Sequence, residues 1–256
     1  MKIITWNINS INARLGILEK VLKKHSPEIL MLQETKSQDM NFPEFEIKSW
    51  GYNVIFKGQK SYNGVAILVK DSLNIKNDIV ELPGINDSEN ARFIQLEIED
   101  ITFVNIYAPN GNPVGTEKFT YKMEWMEALN KHLKSLMEQN RKIVMGGDYN
   151  ICPTKQDVHD WEANKKDALC HPETIKHYNR LINIGFTDVF RTFHPEPEQY
   201  TFWGYRHNGF EANRGWRIDF FLLNPDILES VKNCWVDSEF RGMEKPSDHT
   251  PLILEM

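Results

Sequence analysis

Short β-branched and apolar runs recur along the whole 256-residue chain and outnumber helical patterns, and this excess of strands is what most limits its fold. Strand candidates are Lys2–Trp6, Ile29–Gln33, Val54–Lys57, Gly64–Lys70, Arg92–Ile98, Ile101–Tyr107, Lys142–Met145, Trp216–Leu223, Val231–Asp237 and Pro251–Leu254. Two of them, Arg92–Ile98 and Ile101–Tyr107, are separated only by Glu99 and Asp100, which reads as a tight antiparallel hairpin. Helical spacing is plain in only three places. Ser10 to Lys24 repeats Ile11, Leu15, Leu18 and Leu22 on one face, with Ser10 as the expected cap and Pro27 beyond its end. Lys118 to Met137 and Glu173 to Ile184 are the others. A doubly wound sheet needs a helix between successive strands, so that class is disfavoured. Hairpins mixed with helical crossovers point instead to an α/β (α+β) sandwich of two packed mixed sheets with helices outside. No Gly/Ser-rich linker, repeat or low-complexity run divides the chain, so residues 1–256 are expected to form one domain.

The formal charge is −6, the wrong sign for a passive phosphate-binding surface. It does not exclude a nuclease, because acidic residues that hold a divalent cation present positive charge locally. Cys152, Cys170 and Cys234 are few, odd in number and far apart; they have neither zinc spacing nor a disulfide framework. The N-terminus lacks the apolar run of a signal peptide and no stretch is long enough to span a bilayer, so a cytoplasmic protein is expected.

The chemically informative residues sit where strands end, which is where a rigid scaffold offers function. Taken singly, most have ordinary explanations. Asn7 after the first strand is a common turn residue, Glu34 can pair with Lys36, and Tyr107 can be a half-buried strand residue. The stretch Val144-Met145-Gly146-Gly147-Asp148-Tyr149-Asn150 is harder to explain that way, although taken alone it reads equally well as a turn. An apolar strand runs into two glycines, then an acid and an amide two residues apart. Asp219 is stranger still, a carboxylate inside the apolar run Trp216–Leu223. Near the C-terminus Asp248 stands beside His249, and a histidine with a distant buried aspartate makes an oriented imidazole. No Gly-x-Ser-x-Gly segment supplies a serine nucleophile. Carboxylates and amides suit a hard cation, Mg²⁺ or Mn²⁺, more than zinc. A cation and an oriented water are a minimal kit for phosphodiester hydrolysis.

At these residues the chain closely resembles the exonuclease III family of abasic-site endonucleases, within the deoxyribonuclease I-like (endonuclease/exonuclease/phosphatase) superfamily. The resemblance rests on six segments in order: Trp6-Asn7-Ile8-Asn9, Leu32–Lys36, Tyr107–Asn110, Gly147–Asn150, Asn213–Asp219 and Ser247-Asp248-His249. It implies a four-layer α/β/β/α sandwich. It implies that Glu34 is the principal metal ligand, with Asn7 and Asp248 near it, and that Asp148, Asn150 and His249 also border the metal. Asp148 would orient or deprotonate the attacking water, and Asp219 would pair with His249. Tyr107, His249, Asn110 and Asn150 would contact the scissile phosphate. One or two ions would be bound, since Asn9 stands where relatives offer an acid.

The implied substrate is double-stranded DNA with abasic sites or blocked 3′ ends, cut 5′ to the lesion by a monomer. Phe202 and Trp216 are candidates for a pocket wall around an extruded sugar, and Trp203 is equally readable as core. Arg214 heads the candidate phosphate contacts, with Arg14, Lys36, Lys57, Lys60, Lys155, Arg206 and Arg241. The competing readings are another phosphoesterase of the superfamily and an inactive DNA-binding module.

Overall fold

A computed structural model of the protein describes residues 1–196 and 198–256. In chain order the strands are β1 (Lys2–Asn7), β2 (Ile29–Gln33), β3 (Tyr52–Lys57), β4 (Val65–Lys70), β5 (Ile75–Ile79), β6 (Phe93–Ile98), β7 (Ile101–Tyr107), β8 (Lys142–Asp148), β9 (Thr187–Asp188), β10 (Asp219–Leu223), β11 (Asn233–Val236) and β12 (Leu252–Glu255). The helices are α1 (Leu15–His25), α2 (Glu44–Ser49), α3 (Glu117–Glu138), α4 (Trp161–Asn164), α5 (Pro172–Asn183), α6 (Val189–Phe193) and α7 (Pro225–Leu228).

The strands form two six-stranded mixed sheets, ordered β11-β12-β1-β2-β4-β3 and β5-β6-β7-β8-β10-β9. Alternation along each strand explains why the sheets stack and why helices cover them. Ile3, Ile29, Met31, Val144, Phe221 and Leu223 point into the layer between the sheets. Their neighbours Ile4, Leu30 and Leu32 face outward, against Leu18, Val21 and Leu22 of α1. On the other sheet Val104, Ile143, Met145 and Phe220 face Trp125 and Leu129 of α3 and Leu181 of α5. Strands buried on both faces read as continuous apolar runs, which is what made them legible. The four-layer sandwich is as expected.

Some boundaries differ. β8 runs through both glycines to Asp148, and β10 begins only at Asp219. Trp216 lies outside β10 and makes isolated bridges to Phe202 and Val158 instead. Ser10 caps no helix. Its φ is +87°, residues Asn12–Arg14 form a separate 3₁₀ turn, and α1 starts at Leu15 without a side-chain cap. Strand β5 escaped notice because, with Asn77 and Asp78 inside it and little burial, it has no apolar pattern.

Candidate active site

β1 is parallel to β2, and β7 to β8, so their C-terminal ends share one rim of the sandwich. β10 runs antiparallel to β8 and β12 antiparallel to β1, so they begin at that rim. Register brings the residues into line: Tyr107 pairs with Asp148 across β7 and β8, and Asp148 pairs with Asp219 across β8 and β10. Gly147 makes this alignment possible. Its φ is +152°, and a Cβ there would lie 2.1 Å from the carbonyl oxygen of Ile106.

Asn7 ties the two sheets together at the rim. Its Nδ2 donates to Glu34 Oε1 (2.9 Å) and to Asp148 Oδ2 (2.9 Å). Glu34 also accepts from the Tyr107 hydroxyl (2.9 Å) and from Lys36 Nζ (2.7 Å). Burial disfavours the Glu34 carboxylate, but the Lys36 charge and the Asn7 and Lys36 hydrogen bonds outweigh it and hold the group below its ordinary pKa. Burial, with the negative charge of Glu34, raises Tyr107 well above the usual phenol range. Asn9 Nδ2 donates to Asp248 Oδ1 (2.8 Å), and Asn9 Oδ1 accepts from Lys36 (2.6 Å). Asn7, Asn9, Glu34, Asp148 and Asp248, with Lys36 linking Asn9 to Glu34, thus form one hydrogen-bonded set of amides and carboxylates.

Beside it stands the imidazole. Asp219 is fully buried and its Oδ2 lies 2.8 Å from His249 Nδ1. His249 Nε2 lies 3.8 Å from Asp148 Oδ2. Burial alone would lower His249, yet the charge and hydrogen bond of Asp219, helped by Asp148 and Asp248, raise it to about 10. Asp148 is pushed the other way from a normal carboxylate. Burial, Asp219 and Glu34 raise it, opposed by His249 and the Asn7 amide. The ring of Phe202 is tilted against that of His249 with centroids 4.9 Å apart.

On the far side Asn150, at φ +49°, donates from its backbone N–H to Asp148 Oδ1 (3.0 Å). Its Nδ2 donates to the Ala108 carbonyl (2.9 Å), and its Oδ1 accepts from Asn110 Nδ2 (3.3 Å). Trp216 is half-buried and packs with Phe202 on the cluster that contains Ile218, Val158 and Cys152. Trp203, by contrast, is 4% exposed and its indole N–H donates to Asn213. It belongs to the core.

The basic candidates separate by burial. Arg214, Lys60, Lys155 and Arg206 are exposed. Lys57 pairs with Glu81, and Arg14 donates to the Pro246 carbonyl and the Tyr205 hydroxyl. Arg241 differs from the other basic candidates: it is 7% exposed, donates to the Trp203 carbonyl (2.9 Å) and lies over the rings of Tyr205 and Phe210, a packing role in place of the solvent-facing one its charge suggested.

Several supporting residues escaped the sequence. Gln33 Nε2 donates to Asn105 Oδ1 (2.7 Å) and Thr5 Oγ1 (3.0 Å), a polar bridge between the sheets just beneath Asn7 and Tyr107. Ser247 Oγ donates to the Asn7 carbonyl (2.7 Å) and accepts from the His249 N–H (3.1 Å). A polar residue inside an apolar strand, as at Gln33 and Asn105, is the signal that would have found the first pair.

The family model described as the endonuclease/exonuclease/phosphatase family matches residues 4–249. The chain belongs to that family. It is 33% identical to exodeoxyribonuclease III of Haemophilus influenzae, over 100% of this chain and 99% of the relative. Its fold superposes on the 3′ phosphatase NExo from Neisseria, solved with a product DNA hairpin, with a TM-score of 0.96 at 35% identity, covering 100% of this chain and 99% of that one. An AP endonuclease from Archaeoglobus fulgidus gives 0.94 at 36% identity, covering 99% and 98%. The chain is therefore a nuclease, of a metal-dependent family, and the resemblance read from its six segments holds over its length. No helix among the described residues is long and apolar enough to cross a membrane.

Proposed function

We propose that the protein hydrolyses the DNA backbone 5′ to abasic sites in a Mg²⁺-dependent reaction, and that it also trims and cleans 3′ ends. The observation that carries this reading is the buried Asp219–His249 pair facing Asp148 beside a set of oxygen donors. Glu34, Asn7 and Asp248 would hold the cation, with Asp148 and Asn150 bordering it. The donors are carboxylate and amide oxygens, and Glu34 is kept ionised, which fits Mg²⁺ or Mn²⁺. When bound, the cation neutralises charge at the phosphoryl group.

His249 is assigned to the phosphate and not to the metal. A protonated imidazole has no free lone pair, but donates a charged N–H to an oxygen on which negative charge gathers. Tyr107, Asn110 and Asn150 orient the phosphate with it. Asp148 accepts a hydrogen bond from the attacking water and aims it in line with the departing 3′ oxygen. Its raised pKa suits a group that must take a proton near neutral pH. The water oxygen joins phosphorus as its proton passes to Asp148, the P–O3′ bond breaks, and the departing 3′ oxygen takes a proton from solvent. The products are a 3′-hydroxyl and a 5′ deoxyribose phosphate.

Phe202 and Trp216 form a wall beside His249 for an extruded sugar, and Arg214 reaches the backbone. The whole chain acts as one catalytic domain and as a monomer. A reducing cytoplasm suits its three free, buried thiols.

Incubation with duplexes carrying an abasic analogue, a recessed 3′ end or a 3′-phosphate, with and without Mg²⁺, tests this. Incision beside the analogue only with the metal is expected. Turnover of inositol phosphates or sphingomyelin with none on DNA would instead favour another phosphoesterase, and no turnover at all an inactive DNA-binding module.

A further inference from the structure

Lys122 is fully buried on α3, beneath the loops that carry Asn110 and Asn150, and no step above uses it. Helix neighbours on the same face, Trp125, Met126 and Leu129, are apolar core, so packing alone calls for a leucine here. Desolvating an ammonium is costly, and burial pushes Lys122 down to about 7 against the pull of Asp167 and Asp148. A lysine in this place needs a use for its polar head.

Its bonds supply one. Nζ donates to the Asn150 carbonyl (2.6 Å) and to the Asn110 carbonyl (3.0 Å). These carbonyls belong to separate loops, one following β8 and the other β7. The backbone is shaped to admit the stem: Gly111 has φ +84°, and a Cβ there would lie 2.5 Å from Lys122 Cδ. Above the tie, Asn110 Nδ2 meets Asn150 Oδ1, and the Asn150 N–H meets Asp148. The two donated hydrogens are present on an amine as well as an ammonium, so the tie does not depend on charge.

We propose that Lys122 is a positioning residue, fixing the spacing of the Asn110 and Asn150 loops and hence the grip of their amides on the scissile phosphate. The proposal rests on the phosphate role given to those amides in the preceding subsection. Displacement of a reacting group by about 1 Å can cost roughly 10²-fold in rate. Lys122→Met is therefore expected to lower kcat for abasic-site incision by about 10²-fold, with KM within about threefold. Lys122→Arg, which keeps N–H donors at its end, should retain more than about a tenth of wild-type turnover.

The deciding measurement is a double-mutant cycle in the full-length enzyme with Lys122→Met and Asn150→Ala. If the lysine acts through Asn150, the double variant falls no more than about threefold below the weaker single one. Should Lys122→Met fail to fold by thermal unfolding, Lys122→Gln takes its place under the same criterion. If Asn150→Ala leaves turnover unchanged, the phosphate assignment of Asn150 fails and the role of the lysine falls with it. If Asn150→Ala is crippled but the two effects multiply, or if Lys122 variants change KM and not kcat, the role of the lysine alone is overturned.

Discussion

Replacing Asp219 by Asn changes the charge beside His249 and almost nothing else. The amide is isosteric, its oxygen can still accept from Nδ1–H, and the Asp219 backbone N–H keeps its bond to Thr201. Asp219 is the chief group raising His249 from 6.5 to about 10, a net preference for the charged imidazole on the order of 5 kcal/mol. Without that carboxylate, burial pulls His249 back toward or below 6.5, resisted only by Asp148 and Asp248. At about pH 7.5 the wild-type imidazole is fully protonated, whereas about a tenth or less of the variant would be. Turnover should fall at least roughly tenfold at that pH, and the loss should shrink as pH is lowered. The alkaline limb of the pH–rate profile should move down by roughly three and a half pH units or more. Single-turnover incision of an abasic duplex from about pH 5.5 to 10, with an NMR titration of the His249 ring, measures that shift. Parallel profiles, with the variant slower by one constant factor, would refute the charge argument and leave Asp219 as an orienting group only.

Glu34→Gln removes the charge proposed to bind the cation, which also pairs with Lys36, so half-maximal activity should need at least about tenfold more Mg²⁺; an unchanged Mg²⁺ titration would sink that assignment. Asp148→Asn should lower kcat by about 10²-fold or more while DNA affinity holds or improves, because it removes water positioning and a repelling charge together; turnover within a few-fold of wild type would show that another group handles the water. Trp216→Ala should lower selectivity for abasic over intact duplex by roughly tenfold and hydrolysis of a small phosphodiester by much less. Equal losses on the two substrates would mark Trp216 as packing only.

What could be read without coordinates was whatever repeats or clusters along the chain. Runs such as Ile29–Gln33 and Ile101–Tyr107 are observed as strands with the bounds their apolar residues set, because strands buried on both faces have little room for polar side chains. Polar exceptions at strand ends, and Asp219 within an apolar run, marked the site for the same reason: burial makes a carboxylate costly unless it has a partner. The sequence could not place partners that lie far apart along the chain. Asp219 and His249 are 30 residues apart, and Asn7 and Asp148 are 141 apart. Only strand order and register bring them to one rim. Lys122 and Ser247 look like ordinary helix and loop residues until the loops and sheets close over them, and Gln33 and Asn105 stand out only as polar residues in apolar strands, with nothing along the chain to pair them. Arg241 shows the same limit from the other side, since charge made it a phosphate candidate and packing buried it. Periodicity is a local property set by which side chains leave water. Hydrogen-bond partners and pKa shifts depend on distances across the fold, and those exist only once it has formed.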